Sequence, residues 1–291
     1  MAAALSAAEG LVSCYVAVML HEFLGCGWDL HALVATLSVT LNGLLATAIL
    51  ATKTLRSENR FLYILNTCLG DFLLGAVWFY AGLFDNTDST PGKIASRFLL
   101  YNLMGTIFLS ILSSQCERHF AVASPFKYMR LMTKGRSVGV VVFCWVFPLF
   151  MSLIYGLIGE SISSTIKGIS NIFTNVASFI IMVGLNIKLY LIAKGQQERE
   201  IFASQKDSNK SSLRVVVVVS SSFLVFWTPA TVYESVCGFY ACPKFDNESI
   251  NPFTILIIVT AVINPILYLW GSRAIRVAVW KTLIPRAVCQ R

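Results

Sequence analysis

Two acidic residues in this chain sit where acids are costly, and each could do polar chemistry. Glu117 is followed directly by Arg118, near the end of a long apolar run that begins at Arg97. A bare charge at the edge of an apolar helix must reach water or a partner. An adjacent carboxylate and guanidinium there predict a latch, in which Glu117 holds Arg118 until something else competes for it; a plain end-of-helix charge cluster is the alternative. Asp71 lies inside a second apolar run, in Asn66-Thr67-Cys68-Leu69-Gly70-Asp71. A carboxylate at that depth must face a wet cavity or a polar neighbour. Asn42 and Asn264 are similarly set within apolar runs.

The elements that must carry these residues are membrane helices. Of the 291 residues 56% are hydrophobic and 13% charged, against about half and about a quarter in soluble domains, and the mean hydropathy is +0.69. A bilayer-spanning helix needs roughly 20 mostly apolar residues. Seven stretches qualify: Leu30–Lys53, Phe61–Leu83, Arg97–His119, Ser137–Ile158, Ile169–Ala193, Leu213–Cys237 and Asn251–Gly271. The predicted fold is an all-α membrane protein, a seven-transmembrane helix bundle over 30–283 that includes a short interfacial helix. Residues 1–29 are read as an extracellular N-terminus and 284–291 as a cytoplasmic tail.

Lys93, Arg97, Lys167 and Lys244 fall on one side of this topology, and the other nineteen of the 23 basic residues fall on the opposite side or at its helix ends. Basic loops stay cytoplasmic, so the N-terminus is expected outside the plasma membrane and the C-terminus inside. The net charge of +8 then matches anionic inner-leaflet lipid and gives no reason to invoke nucleic acid. Residues 1–29 contain no Lys or Arg, so they lack the positive start of a cleaved leader and read as a short extracellular amphipathic segment.

Cys68, Cys116 and Cys144 read as small apolar fillers. On the outer side a Cys237–Cys242 disulfide is one pairing, Cys26 with either is another, and spacing does not choose between them. Asn247-Glu248-Ser249 is an outward glycosylation site. Gly159–Gly168 and the charged stretch Lys194–Ser212, which lacks apolar periodicity, are expected to be loops. Pro229 and Pro265 each interrupt a spanning helix and remove a backbone bond. Pro265 frees Ala261, and Asn264 is expected to satisfy the groups so released. Beyond Gly271, Ile275, Val279 and Leu283 recur at fourfold spacing among basic residues, the pattern of a helix lying in the interface. Cys289 beyond it is a site for a reversible acyl chain.

In chain order, Asn42, Asp71, Glu117-Arg118, Trp145, Phe223…Trp227-Thr228-Pro229 and Asn264-Pro265…Tyr268 fall one set per helix. This resembles the rhodopsin-like (class A) G-protein-coupled receptors across residues 30–283, most tellingly in the acid–Arg–aromatic triplet followed by Pro125, Phe126 and Tyr128. The resemblance implies a ligand-operated exchange catalyst for a heterotrimeric G protein, with no covalent chemistry of its own and no enzyme activity. Arg118 would leave Glu117 on activation and meet the Gα C-terminal helix, steadied by Tyr190 and Tyr268, while Phe126 inserts into an apolar pocket of Gα. Phe223 and Trp227 would relay ligand binding to a swing about Pro229. Asp71 and Asn264 would help hold an allosteric sodium ion. Ile107 stands where a coordinating serine is common.

Other departures bear on function. The cysteine usual at the outer end of helix three is missing, with Lys93, Ile94 and Ala95 in that region, and Gly159–Gly168 offers no partner. His119, Phe226 and Met182 replace the usual tyrosine, cysteine and helix-five proline. Asn209 stands where a second acid often locks the arginine, so the latch would rest on Glu117 alone and basal signalling would be raised. A midhelix lysine in helix seven, required for a retinal Schiff base, is absent from Ile255–Val262, and Leu100 replaces the aspartate of amine receptors. The ligand pocket transferred by position is Leu100, Tyr101, Met104, Thr174, Ser178, Trp227, Thr231, Glu234 and Thr254, mostly apolar with scattered hydroxyls. Such a lining suits a lipid-like or small uncharged ligand. An odorant-type chemosensory receptor and a non-signalling binding or partner receptor are alternatives, and a receptor dimer is left open. A transporter would favour repeated halves, and no internal repeat is present.

Overall fold

The computed structural model describes residues 27–84, 91–157, 160–200, 207–237 and 251–283. They form α1 (Gly27–Ala51), α2 (Lys53–Ser57), α3 (Asn59–Phe84), α4 (Pro91–Ala123), α5 (Pro125–Leu131), α6 (Lys134–Leu157), α7 (Glu160–Glu200), α8 (Asp207–Cys237), α9 (Pro252–Gly271) and α10 (Arg273–Leu283). No strand occurs among the described residues. Among the described residues six helices are long and apolar enough to cross a bilayer: α1, α3, α4, α6, α7 and α9. The 31-residue α8 packs between α7 and α9 and completes seven. Neighbour contacts close a ring α1–α3–α4–α7–α8–α9–α1, with α6 leaning on α4 and α3 from outside.

Four boundaries differ from the sequence expectations. α4 starts at Pro91, which suits a first-turn position because its missing N–H has no helical partner there. The same helix runs past His119 to Ala123, so Glu117 and Arg118 lie within it and not at its end. The expected loop Gly159–Gly168 is helical from Glu160 onward. The expected loop Lys194–Ser212 is helical at Lys194–Glu200 and again from Asp207. The stretch Lys194-Gly195-Gln196-Gln197-Glu198-Arg199-Glu200 is rich in straight-chain residues that propagate helix well. Its lack of apolar periodicity argued against burial, which is a different property from helicity.

Two apolar clusters fill the ring. One contains Trp78, Leu100, Ile107, Phe223, Trp227 and Ile258; the other, nearer Arg118, contains Leu45, Ile49, Phe61, Val219, Tyr268 and Ile275. The short α10 buries Ile275, Ala278 and Val279, packing on α1 and α9, and exposes Leu283, which the fourfold pattern had put on the buried side. Asn251 caps α9 by accepting from Phe253 N at 3.0 Å and Thr254 N at 3.5 Å.

Polar side chains staple the helices. Hydrocarbon offers no water to an unpaired group, so such bonds fix neighbours. Asn66 accepts from Trp145 Nε1 at 2.7 Å and donates to Ser110 Oγ at 2.7 Å, which ties α6 to α3 and α4. Asn42 donates to Ala261 O at 2.8 Å. That carbonyl is the one Pro265 leaves without a helical donor. The expectation that Asn264 would satisfy it is therefore corrected: the donor comes from α1, and Asn264 turns elsewhere.

α1 and α3 approach closely where His31 meets Trp78 and Gly82. His31 is buried, its ring 4.1 Å from that of Trp78, and its Nε2 lies 2.9 Å from Trp78 O. A Cβ built on Gly82 would run into the His31 ring. Gly82→Ala is expected to cost about 1–3 kcal/mol through overpacking, lowering the melting temperature by about 2–4 °C per kcal/mol. The double variant Gly82→Ala/His31→Ala should recover part of the loss. Equal melting of Gly82→Ala and the parent chain would mean the ring moves aside freely.

Candidate functional site

At one end of the bundle Glu117 is 1% exposed and Arg118 is partly buried. Adjacent residues on a helix project about 100° apart, so Arg118 must curl back to meet its neighbour, and Arg118 Nε lies 3.3 Å from Glu117 Oε2. The tighter hold comes from outside α4. Tyr128 on α5 donates its phenol O–H to Glu117 Oε1 at 2.5 Å, and its ring meets Phe120 edge-on at 6.2 Å. Burial and, after it, the bond to Glu117 raise the Tyr128 phenol above its usual range, so it stays a donor at neutral pH. The latch therefore has a third member. Tyr128 braces Glu117, the carboxylate that meets Arg118.

Phe126, two residues before Tyr128 on the same short helix, is 87% exposed. Met129 beside it is also exposed. Tyr268 is buried next to this end, whereas Tyr190 is exposed on α7. The structure thus brings Glu117, Arg118 and Tyr128 together, with Tyr268 close by, and leaves Tyr190 outside the group.

Halfway along the bundle, Asn264 Nδ2 donates to Asp71 Oδ2 at 3.2 Å, with both residues buried. Ser38 donates to Asp71 O at 3.1 Å. The Oδ1 atoms of Asn42 and Asn264 are buried with no hydrogen-bond partner among the described residues. A buried carboxylate and two orphaned amide oxygens are, by chemistry, the kind of oxygen donors that suit a hard cation. Ile107 packs against Gly70 of the same helix turn as Asp71 and adds no oxygen.

Phe223 and Trp227 stack on α8 with ring centres 4.7 Å apart, and Phe108 of α4 approaches both, at 5.8 Å and 6.0 Å. Beside them a cleft of about 260 Å³ is lined by α4, α7 and α8, including Ser178, Trp227, Thr228 and Thr231. Of the pocket residues expected by position, Ser178, Trp227 and Thr231 line this cleft. Leu100 is instead packed in the core, with Met104 against it, and Thr254 is buried. Tyr101 and Thr174 face outward and are exposed. Leu100 and Tyr101 are consecutive on one helix, so they do not share a face.

Pro229 and Pro265 both lie inside helices that continue through them. The side chains of Pro125, Glu234 and Cys237, and residues Cys26, Cys242, Asn247 and Cys289, lie outside those described. Tyr128 as a partner of Glu117, and Val176, Phe179 and Ile180 as cleft residues, were not identified from sequence. For Tyr128 the available signal was its place one helical turn after Pro125.

The sequence model described as "7 transmembrane receptor (rhodopsin family)" matches residues 41–166 and 159–268. Lysophosphatidic acid receptor 1 of Homo sapiens is 26% identical over 234 residues, covering 72% of this chain and 62% of that receptor. Lysophosphatidic acid receptor 1-B of Xenopus laevis is 25% identical over 252 residues, covering 78% and 66%. Melanocortin receptor 5 of Homo sapiens is 23% identical over 276 residues, covering 88% and 83%. The chain thus spans 62% of the length of the first of these relatives.

A hydrogen bond to a charged acceptor contributes about 1.5–3 kcal/mol. Tyr128→Phe is expected to raise amide hydrogen exchange across α5 by about tenfold or more, read by mass spectrometry in nanodiscs. Unchanged exchange would mean the phenol does not hold α5 to α4.

Proposed function

The chain belongs to the rhodopsin family of seven-transmembrane receptors, and on that premise we propose that it converts binding of an extracellular ligand into nucleotide exchange on a heterotrimeric G protein. The observation that carries this reading is the clasp of Glu117 by Arg118 and Tyr128 on the helix pair that also presents Phe126. The Arg118 end is the cytoplasmic end, which sets the N-terminus outside and the C-terminus inside the plasma membrane. An exposed phenylalanine next to the clasp gives Gα an apolar foothold, and seating it there displaces α5 and with it the Tyr128 phenol. Arg118 then exchanges Glu117 for the Gα C-terminal helix. Trp227 and Phe223 carry the ligand signal, because they link the cleft to α8. Ligand acts only by its differential affinity for the open and closed bundles, and GTP hydrolysis belongs to the G protein.

The ligand is lipid-like or small and uncharged. Supporting this, the cleft lining holds apolar side chains and hydroxyls and no charged side chain. Relatives named for a lipid and for melanocortins differ in ligand chemistry, so identity at this level does not carry either ligand over. We extend the proposal to a resting-state sodium ion held by Asp71 with the orphaned oxygens of Asn42 and Asn264. Its charge would offset the buried carboxylate and favour the closed bundle.

Purified chain in nanodiscs, offered a panel of Gα subunits, is expected to speed GDP release with at least one, and Arg118→Ala to reduce that rate at least tenfold. Equal rates for the two, or no acceleration with any Gα, would overturn the coupling. Replacing Na⁺ by N-methylglucamine is expected to lower the melting temperature by about 2–4 °C, the shift for about 1 kcal/mol of linkage. Asp71→Asn should abolish that difference, and a parent chain indifferent to Na⁺ would remove the ion from the account.

A further inference from the structure

The cleft beside Trp227 is open in an unusual direction for a pocket fed from water. Val176, Phe179 and Ile180 of α7 and Val232 of α8 line it and are exposed on the bundle's flank. Both helices span the bilayer, so that flank faces hydrocarbon. Met182, Phe223 and Trp227 line the same cleft and are buried. It therefore runs from the lipid face to the stacked aromatics of α8.

Two polar groups await an occupant. Trp227 is 5% exposed, and its Nε1–H has no hydrogen-bond partner among the described residues. A buried indole N–H usually finds an acceptor, and leaving one unmade in hydrocarbon costs free energy. Thr228 donates its hydroxyl hydrogen to Leu224 O at 2.5 Å, which leaves acceptor capacity on its oxygen. The lining thus offers a donor and an acceptor on consecutive residues, and no charge. A hydroxyl group can answer either one, accepting from Trp227 or donating to Thr228. A carboxylate or phosphate would have no cation to meet in this lining.

The volume decides how much of the occupant is inside. At about 260 Å³ the cleft is smaller than the roughly 300–1,000 Å³ of pockets that enclose a drug-sized ligand. An occupant longer than this leaves its remainder outside, and outside is lipid.

We infer that this cleft is a binding site for an uncharged, hydroxyl-bearing lipid that arrives from the bilayer between α7 and α8, with its hydroxyl on Trp227 Nε1 and its chain lying across Phe179, Ile180 and Val232. The inference deepens the receptor reading by giving its ligand a class and a route, and it places that ligand directly on the Trp227–Phe223 stack.

The test is photolabelling of the full chain in phosphatidylcholine nanodiscs with a diazirine-bearing hexadecanol, compared with the diazirine hexadecane that lacks the hydroxyl. Labelling is expected within 176–182 and 223–232, at least fivefold stronger with the alcohol, and displaced by excess unlabelled hexadecanol. Trp227→Phe keeps an aromatic ring but loses the N–H, and should bring the alcohol-to-alkane ratio close to one. Val232→Trp, on the lipid face, should cut labelling at least fivefold by filling the mouth. Labelling that does not saturate, or that falls equally on the exposed face of α6, would identify ordinary surrounding lipid and overturn the inference. Because labelling is read without G protein, its failure is distinguishable from a failure of coupling, which appears only in GDP release.

Discussion

A carboxylate withdrawn from water must have its oxygens answered, and in this bundle two such groups set the terms for much else. Burying an unpaired charge costs several kcal/mol, so Asp71 and Glu117 dictate which neighbours stand beside them. Asp71 receives Asn264 from a helix that is remote in sequence, which fixes α9 against α3. Glu117 receives Tyr128 from α5, which fixes the loop helix against α4. One carboxylate thereby organises the middle of the ring and the other organises an end. Removing either demand would leave the helices free to choose other neighbours among similar apolar faces.

Backbone groups impose the same demand. Pro265 deprives Ala261 O of its usual donor, and Asn42 supplies one from α1. The interruption in α9 is thus also the point where the ring closes between its first and last spanning helices. In a membrane, where apolar faces gain little by preferring one another over lipid tails, bonds of this kind give the bundle its order. The Trp227–Phe223–Phe108 stack adds a rigid aromatic seam between α8 and α4, and it joins the cleft to the core.

The spanning helices were legible because hydrophobic composition alone marks what can enter lipid. Their polar extensions were not: Glu160–Gly168 and Lys194–Glu200 carry no apolar stripe, yet nothing in them breaks a helix. The acid–arginine pair was legible as a pair, but its strongest partner was not. Tyr128 reaches Glu117 only because Ser124 and Pro125 turn the chain from α4 into α5, a geometry that residue types do not announce. Leu100 faces the core while Tyr101 faces outward for a related reason, since helix rotation decides which side chain faces inward and a list of positions does not encode that angle. His31 against Trp78 and Gly82 left no mark in the sequence at all, as the contact requires knowing how α1 and α3 are aligned.

The unbroken length of α7 carries its own consequence. Its 41 residues extend about 60 Å at 1.5 Å per residue, roughly twice the hydrocarbon thickness of about 30 Å. Such a rod behaves like a threaded shaft: adding one residue anywhere along it turns everything beyond by about 100° and advances it by about 1.5 Å. Evolution of this segment by insertion or deletion is therefore geared. Changes of seven residues, close to two full turns, preserve the facing of both ends, whereas a single added residue would swing Ser178 and Met182 away from the cleft.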